Sequence, residues 1–408
     1  MRGSEFLDKM GLISPVYVEA AEIVRKQTKS IWITWGAAAA GFALVILAGT
    51  RVLLPMQPGQ DTDLPILSVS EFQGGMGFEG YMAYDISEFV NANPWSESVR
   101  VSTLPVYRNV LTYDTNYTAS GSDWGKMREL LLETAGRLGL DAETLTITDN
   151  APDEEKRQRI LEKHEAVGSP VPEGAFEPTM LMINTGEIEI TVDSSLTVKV
   201  EFEPAVDLPE GYDFTTFASY EDCSAVADYL KAEYRDFIGM ENPQGNIHGG
   251  DYTYFGAQRY GIEFFDASGT MVEQIINYNF YPVAFYGDSD GKLFLARIFQ
   301  PDLSDKVGDY PILSSEQARE LLLDGNGITT VPYEFPGEEY IRKAELVYRT
   351  GMYEEYYMPY YRFYVEIPEA GMPEEGRELG LKTYGAYYVP AVESSYISNM
   401  PVWDGRFN

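Results

Sequence analysis

Few side chains in this 408-residue sequence could carry familiar chemistry. Histidine occurs twice, at His164 and His248, and cysteine once, at Cys223. Zinc sites draw several His or Cys ligands from short spacings, so three isolated residues predict no metal centre. A Ser-His-Asp hydrolase would need one of the histidines. His248, in "GNIHGGDYTY", is the candidate. No G-x-S-x-G elbow accompanies it, and it is expected as a solvent-exposed loop residue. Gly75, Gly77 and Gly80 match G-x-G-x-x-G letter for letter, but no strand precedes them and no helix follows. A flexible glycine loop without a nucleotide is expected. Asp288-Ser289-Asp290-Gly291 begins like a calcium loop, yet Leu293 and Phe299 fall where further ligands belong. A hairpin turn explains it. No catalytic set, metal or cofactor is therefore predicted.

The aromatic run Tyr353, Tyr356, Tyr357, Tyr360, Tyr361, Phe363 and Tyr364 has a different kind of potential. In a strand, alternate side chains point to opposite faces. Tyr361, Phe363 and Val365 then share a core face, while Tyr360, Arg362 and Tyr364 share the other. Aromatic rings beside a guanidinium suit peptide or glycan contact, so Tyr360, Arg362 and Tyr364 are the candidate ligand-binding residues.

Helix and strand signals alternate through the elements that must position them. A helix is predicted from Trp124 through Met127, Leu131 and Leu138, capped by Ser122 or Asp123 and stopped at Gly139. Strands follow at 144–148, 179–183, 187–192 and 196–202. Cys223, Val226, Ala227 and Leu230 recur at helical spacing behind a Ser219-x-x-Asp222 capping box, which makes Cys223 a buried structural thiol. "YGIEFF", "EQIINYNF" and "KLFLARIF" read as strands, and a third helix runs from Ser314, boxed by Gln317, to Gly325. Strands return at "AELVYR", "YYRFYVEI" and "TYGAYYVPAV". The charged run 150–174 predicts a solvated surface helix or loop. Helix followed by antiparallel strands, three times over, predicts an α+β fold of helix-plus-sheet modules.

Residues Ile31–Thr50 carry no charge over 20 positions, and Trp32 and Trp35 stand beside Lys26 and Lys29. About 20 helical residues cross a bilayer, and interfacial tryptophans flank such spans. A single uncleaved membrane span from Ile31 to Leu54 is expected. Arg25, Lys26 and Lys29 put the N-terminus in the cytoplasm by the positive-inside rule. The expected organisation is a cytoplasmic tail 1–30, the span 31–54, an irregular approach or stalk 55–99, an exterior α+β domain 100–305 and a C-terminal module 306–408. Beyond Arg51 stand 24 basic and 60 acidic residues, a net charge of −36. That field repels nucleic acid and anionic lipid and favours cations or a cationic partner. One cysteine in a large exterior region suggests a bacterial envelope.

"FLDKMGLISPVYVEAAE", "LPVYRN" at 104–109 and the stretch from "GDYPILSSEQARELLL" to "NMPVWDGRFN" resemble a family of uncharacterised single-span membrane proteins from Firmicutes. The unit ending in "YYRFYV" and "YYVPAV" resembles PepSY-like domains over about the last 100 residues. The first resemblance implies topology and origin. The second implies an exterior regulatory role. Together with the incomplete catalytic sets, they lead to the expectation of a non-catalytic, membrane-anchored envelope protein that binds or senses a protein, peptide or glycan. An exterior hydrolase working with carboxylates alone and a structural envelope protein are the alternatives.

Overall fold

The computed structural model describes residues 64–70, 77–113, 119–141, 144–171, 174–351, 353–368 and 374–403. The expected span Ile31 to Leu54 lies outside them. Among the described residues no helix is long and apolar enough to cross a membrane. From Leu64 onwards the chain forms one compact unit.

In chain order the elements are β1 (Gly80–Ala83), β2 (Thr103–Arg108), β3 (Thr112–Tyr113), β4 (Ala119–Ser120), α1 (Trp124–Arg137), β5 (Ile147–Asp149) and α2 (Glu154–Val167). Next come β6 (Met180–Asn184), β7 (Ile188–Asp193), β8 (Val198–Val206), α3 (Tyr220–Glu233), α4 (Arg235–Ile238), β9 (Pro243–Tyr252), β10 (Gln258–Asp266) and α5 (Met271–Phe280). They are followed by β11 (Val283–Gly287), β12 (Leu293–Ile298), β13 (Lys306–Pro311), α6 (Ser315–Leu323), β14 (Ile328–Thr329) and β15 (Ile341–Tyr348). The last are β16 (Tyr356–Tyr357), β17 (Pro359–Ile367), α7 (Glu374–Glu378) and β18 (Lys382–Pro390).

The α+β expectation holds. An eight-stranded antiparallel sheet runs β5-β6-β7-β8-β12-β11-β10-β9, and a second sheet runs β1-β18-β17-β15 with β14 also on β18. A small sheet, β13-β2-β16, joins residues 103–108 to 306–311 and 356–357. Strand pairing thus crosses the expected boundary between 305 and 306, and the C-terminal module is woven into the rest.

Each sheet buries one face under helices. Met127 and Leu131 of α1 and Cys223, Val226 and Leu230 of α3 pack on Ile190, Val200 and Ala296 of the large sheet. Ile275 and Phe280 of α5 and Ala318 and Leu322 of α6 pack on Tyr361, Phe363, Val365 and Val389 of the second. Fully burying one such apolar side chain contributes about 1.5–3 kcal/mol, which is why helices with modest amphipathicity hold here. α2, from the charged run, buries no residue.

Two expectations are corrected. "EQIINYNF" is helix α5, not a strand. Thr270 and Glu273 form a reciprocal capping box, and Ile275 and Phe280 reach the core. The described residues 64–70 and 77–99 are not a stalk. Leu67, Val69, Ala83, Phe89 and Trp95 are buried, and β1 pairs with β18. Apolar side chains scattered among Gly, Asp and Ser fill gaps between sheets without any periodic pattern.

One contact of this segment requires glycine. Gly250 has φ +97, and a Cβ there would stand 1.9 Å from the Glu88 carbonyl oxygen. Gly168, at the C-cap of α2, has φ +68 with nothing within 4 Å of a Cβ. Gly168→Ala should cost about 1 kcal/mol from left-handed strain alone, whereas Gly250→Ala should cost at least about 3 kcal/mol because backbone must move. Chemical denaturation of the two variants checks the contrast.

Candidate functional site

Phe89, Val90 and Asn91, in the segment 88–93 that Gly250 admits, form one wall of a cavity of about 580 Å³ between the two sheets. β9 and β10 supply Asn246, His248, Asp251 and Glu263. β17 and β18 supply Arg362, Tyr364 and Tyr388. Tyr278 and Asn279 of α5 close another side.

Strand register sets the chemistry of the sheet wall. Glu345 is opposite Arg362, and Arg362 is opposite Tyr388, so these side chains project from one face. Glu345 is only 2 % exposed. Its Oε2 accepts from Arg362 Nε at 3.2 Å and Nη2 at 2.5 Å, and from the Tyr364 hydroxyl at 3.4 Å. Its Oε1 accepts from Lys343 Nζ at 2.8 Å and from Asn91 Nδ2 at 2.7 Å. Burial alone would raise this carboxyl. The charges of Arg362 and Lys343, with the Lys343 and Asn91 hydrogen bonds, overcome it and hold the group down at about 2. Lys343 also donates to the Phe89 carbonyl at 3.1 Å. One carboxylate thus ties two strands to the segment across the cavity. Burial pushes the Tyr364 phenol well above its ordinary range, so it stays a neutral donor.

The opposite wall is held by an amide, an imidazole and carboxylates. Asn246, 3 % exposed, accepts from the Ala92 N–H at 2.8 Å and donates to Glu263 Oε2 at 3.3 Å. His248 Nε2 lies 3.6 Å from Glu263 Oε1. Glu79 Oε2 accepts the Tyr388 hydroxyl at 2.6 Å. The lining therefore combines carboxylates, amides, phenols, an imidazole and two arginines, which suits a polar ligand with several hydrogen-bonding groups.

Of the three predicted binding residues, Arg362 and Tyr364 line this cavity and Tyr360 does not. The alternation was read correctly, but both faces of β17 are buried. Tyr360 is 0 % exposed, packed with Val347, Met358 and Tyr388 under Leu67 and Val69. The approach segment covers that end of the face and removes Tyr360 from reach. His248 is not a loop residue. It lies in β9, half-buried, on the cavity wall. A Cβ on Gly261 would meet its ring at 2.5 Å, so glycine on the neighbouring strand makes room for the imidazole. Glu345, the centre of the site, was read only as part of a strand, because nothing in "AELVYR" marks one acid as buried.

The remaining motifs keep structural roles. His164 lies half-buried on α2 with Nδ1 3.0 Å from Ser169 Oγ. Asp288 Oδ1 accepts from the N–H groups of Asp290 and Lys292, as a hairpin turn requires. Gly77 to Gly80, the described part of the glycine run, lead into β1, which is antiparallel to β18, and not into a helix. The Cys223 thiol is buried and pushed up to about 11 by that burial and by nearby Asp222 and Asp213. No group of three or more His, Cys, Asp or Glu able to hold a metal occurs among the described residues.

No family model matches the chain, and no curated protein matches it. Among solved structures, a crystal structure of an uncharacterised protein from Eubacterium rectale is similar at 11% identity. It covers 72% of this chain and 84% of that one, with a TM-score of 0.32. A likeness of that size carries no argument about the site.

The Glu345 network has a pH signature. Its folded-state value of about 2 lies below the ordinary 4.5, so its stabilisation is complete above about pH 4.5 and fades as pH falls towards 2. A shift of that size is worth on the order of 3 kcal/mol. Glu345→Gln should cost about 3–5 kcal/mol at pH 7, by stranding buried cations, and should flatten the acid limb of the stability curve. Urea denaturation between pH 2 and pH 7 measures both effects.

Proposed function

We propose that this protein is a membrane-anchored envelope module that binds or senses a polar ligand, a peptide or glycan, in the cavity between its two sheets. The cavity carries the reading. Arg362 and Tyr364 reach it, and Glu345, Lys343 and Asn91 fix their positions before any ligand arrives. Preorganised polar groups lose little freedom on binding, which favours affinity. The uncharged run Ile31–Thr50, with lysines before it, supports an anchor and an exterior location. The pattern shared with PepSY-like domains supports a regulatory role, and the likeness to uncharacterised single-span Firmicutes proteins supports a bacterial envelope origin.

The acidic lining favours a second reading, a hydrolase using carboxylates. Glu79, Asp251 and Glu263 all face the cavity, and Glu263 has an imidazole beside it. Turnover of a bound peptide or glycan by the pure protein, lost in both Glu79→Gln and Glu263→Gln, would replace binding by catalysis.

Two measurements test the proposal. Protease added to intact cells should digest the region after Pro55; full protection would overturn the topology. Calorimetric titration of the full-length protein with a tripeptide and with an N-acetylglucosamine tetramer should give saturable binding to one of them. Val90→Trp, on the half-buried wall, should weaken that binding more than tenfold while shifting stability by less than about 1 kcal/mol. Binding unaffected by Val90→Trp would rule out the cavity.

A further inference from the structure

Strand register gathers a group of polar side chains on one wall of the cavity. Glu263 of β10 pairs with Asn246 of β9, and Gly261 pairs with His248. Paired residues of an antiparallel sheet, and residues two apart along a strand, point to the same face. Asn246, His248 and Glu263 therefore share the face that turns away from Ile262 and Phe264, which lie in the core. Phe265, two residues on from Glu263, stands on that same face, and the ring of Tyr278 meets it edge-on at 5.3 Å. The α5 tyrosine thus flanks Glu263, and both line the cavity.

Most charges of the lining are already engaged. Arg362 gives Nε and Nη2 to Glu345, and the Arg349 guanidinium is buried against Glu354 at 2.6 Å. Asp251 is paired with Arg259 at 3.1 Å. Glu79 accepts the Tyr388 hydroxyl at 2.6 Å, and Tyr388 is the register neighbour of Arg362. Glu263 is less well served. Its side chain is 28% exposed, and among the described residues no Lys or Arg is in ion-pair range of it. Its carboxylate accepts one hydrogen bond there, from Asn246 Nδ2 at 3.3 Å. The Ala92 N–H occupies Asn246 Oδ1 and so fixes the amide as a donor to Glu263. His248 Nε2, 3.6 Å from Oε1, is beyond hydrogen-bond distance. Arg297 of β12 stands two strands off across Ala284, roughly 10 Å away by strand spacing. An ionised carboxylate offers about four lone-pair sites, so a half-buried one with a single long hydrogen bond is short of donors and of a counter-charge.

A cation that brings several donors meets both needs, and a primary ammonium carries three. Elsewhere in the lining Tyr81, Phe89 and Tyr364 pack with ring centroids 5.5–5.9 Å apart, an aromatic surface for the apolar carbons of a ligand. The net charge of −36 beyond Arg51 draws cations towards the protein. We propose that Glu263, flanked by Asn246, His248 and Tyr278, is a subsite for a primary ammonium group, and that the cavity selects its ligand by a free amine. An unblocked peptide N-terminus and an amino sugar both supply that group. This rests on the binding reading above and names the chemical feature by which that site chooses.

The test is calorimetric titration of the full-length protein at pH 7 with trialanine, N-acetyl-trialanine, a glucosamine tetramer and the N-acetylglucosamine tetramer. One free-amine probe should bind at least about tenfold more tightly than its acetylated counterpart, and the pair that shows it distinguishes peptide from amino sugar. Glu263→Gln keeps the shape of the wall and removes its charge, so the ratio should fall below about twofold. Raising the pH to about 9.5 should do the same to the unaltered protein, because the amines of both probes are then mostly neutral; an α-amino group has a pKa of about 8. If Glu263→Gln fails to fold, the ratios of the unaltered protein at the two pH values decide alone. Equal affinity for free and acetylated forms, or a preference for the acetylated one, weakened in common by Val90→Trp, would overturn the inference and leave the binding cavity standing. A preference for the free amine that survives Glu263→Gln, or that persists at the higher pH, would overturn the ammonium subsite. Absence of binding by all four would overturn both readings.

Discussion

The architecture around the cavity depends on a single buried carboxylate. Glu345 joins β15 to β17 through Arg362 and reaches the 88–93 segment through Asn91, while Lys343 beside it holds the Phe89 carbonyl. A carboxylate with 2 % exposure is costly unless every lone pair is used, and here donors converge from three sides. The same bonds that offset its desolvation hold Arg362 and Tyr364 in the cavity wall. Stability and preorganisation of the site are therefore one interaction seen twice.

That arrangement also explains why residues 77–99 are folded although they lack periodicity. Ala92 is received by Asn246 from the large sheet, Asn91 by Glu345 from the second, and Val90 bridges Gly249. The segment works as a seam of side-chain and backbone bonds between two sheets. A seam needs polar caps and glycines at the points of closest approach, and such composition resembles a loop to any reading based on hydrophobic spacing.

Where a local pattern determines a local element, the sequence was legible. The Asp123 and Ser219 caps, the Ser314 box, the hairpin at Asp288 and the alternation of β17 are all found in place. α5 was missed because "INYNF" at 276–280 alternates as a strand would, although Thr270 and Glu273 marked its start. The site was half legible. Arg362 and Tyr364 followed from the pleat, but Tyr360 was lost and Glu345, Asn246 and His248 were gained through contacts between residues distant in sequence, up to 254 positions apart. Burial of a second sheet face is decided by what covers it, and that information lies in a distant segment.

The central claim is that the Glu345-centred cavity is where this protein meets its ligand. Amide hydrogen exchange of the full-length protein, with and without whichever of the tripeptide and the N-acetylglucosamine tetramer binds, tests it directly. The account predicts new protection confined to residues 88–93, 246–251 and 345–351. Protection that instead appears at the exposed aromatic turn around Tyr254 and Phe255, 65% and 55% accessible, with those three stretches unchanged, would contradict it.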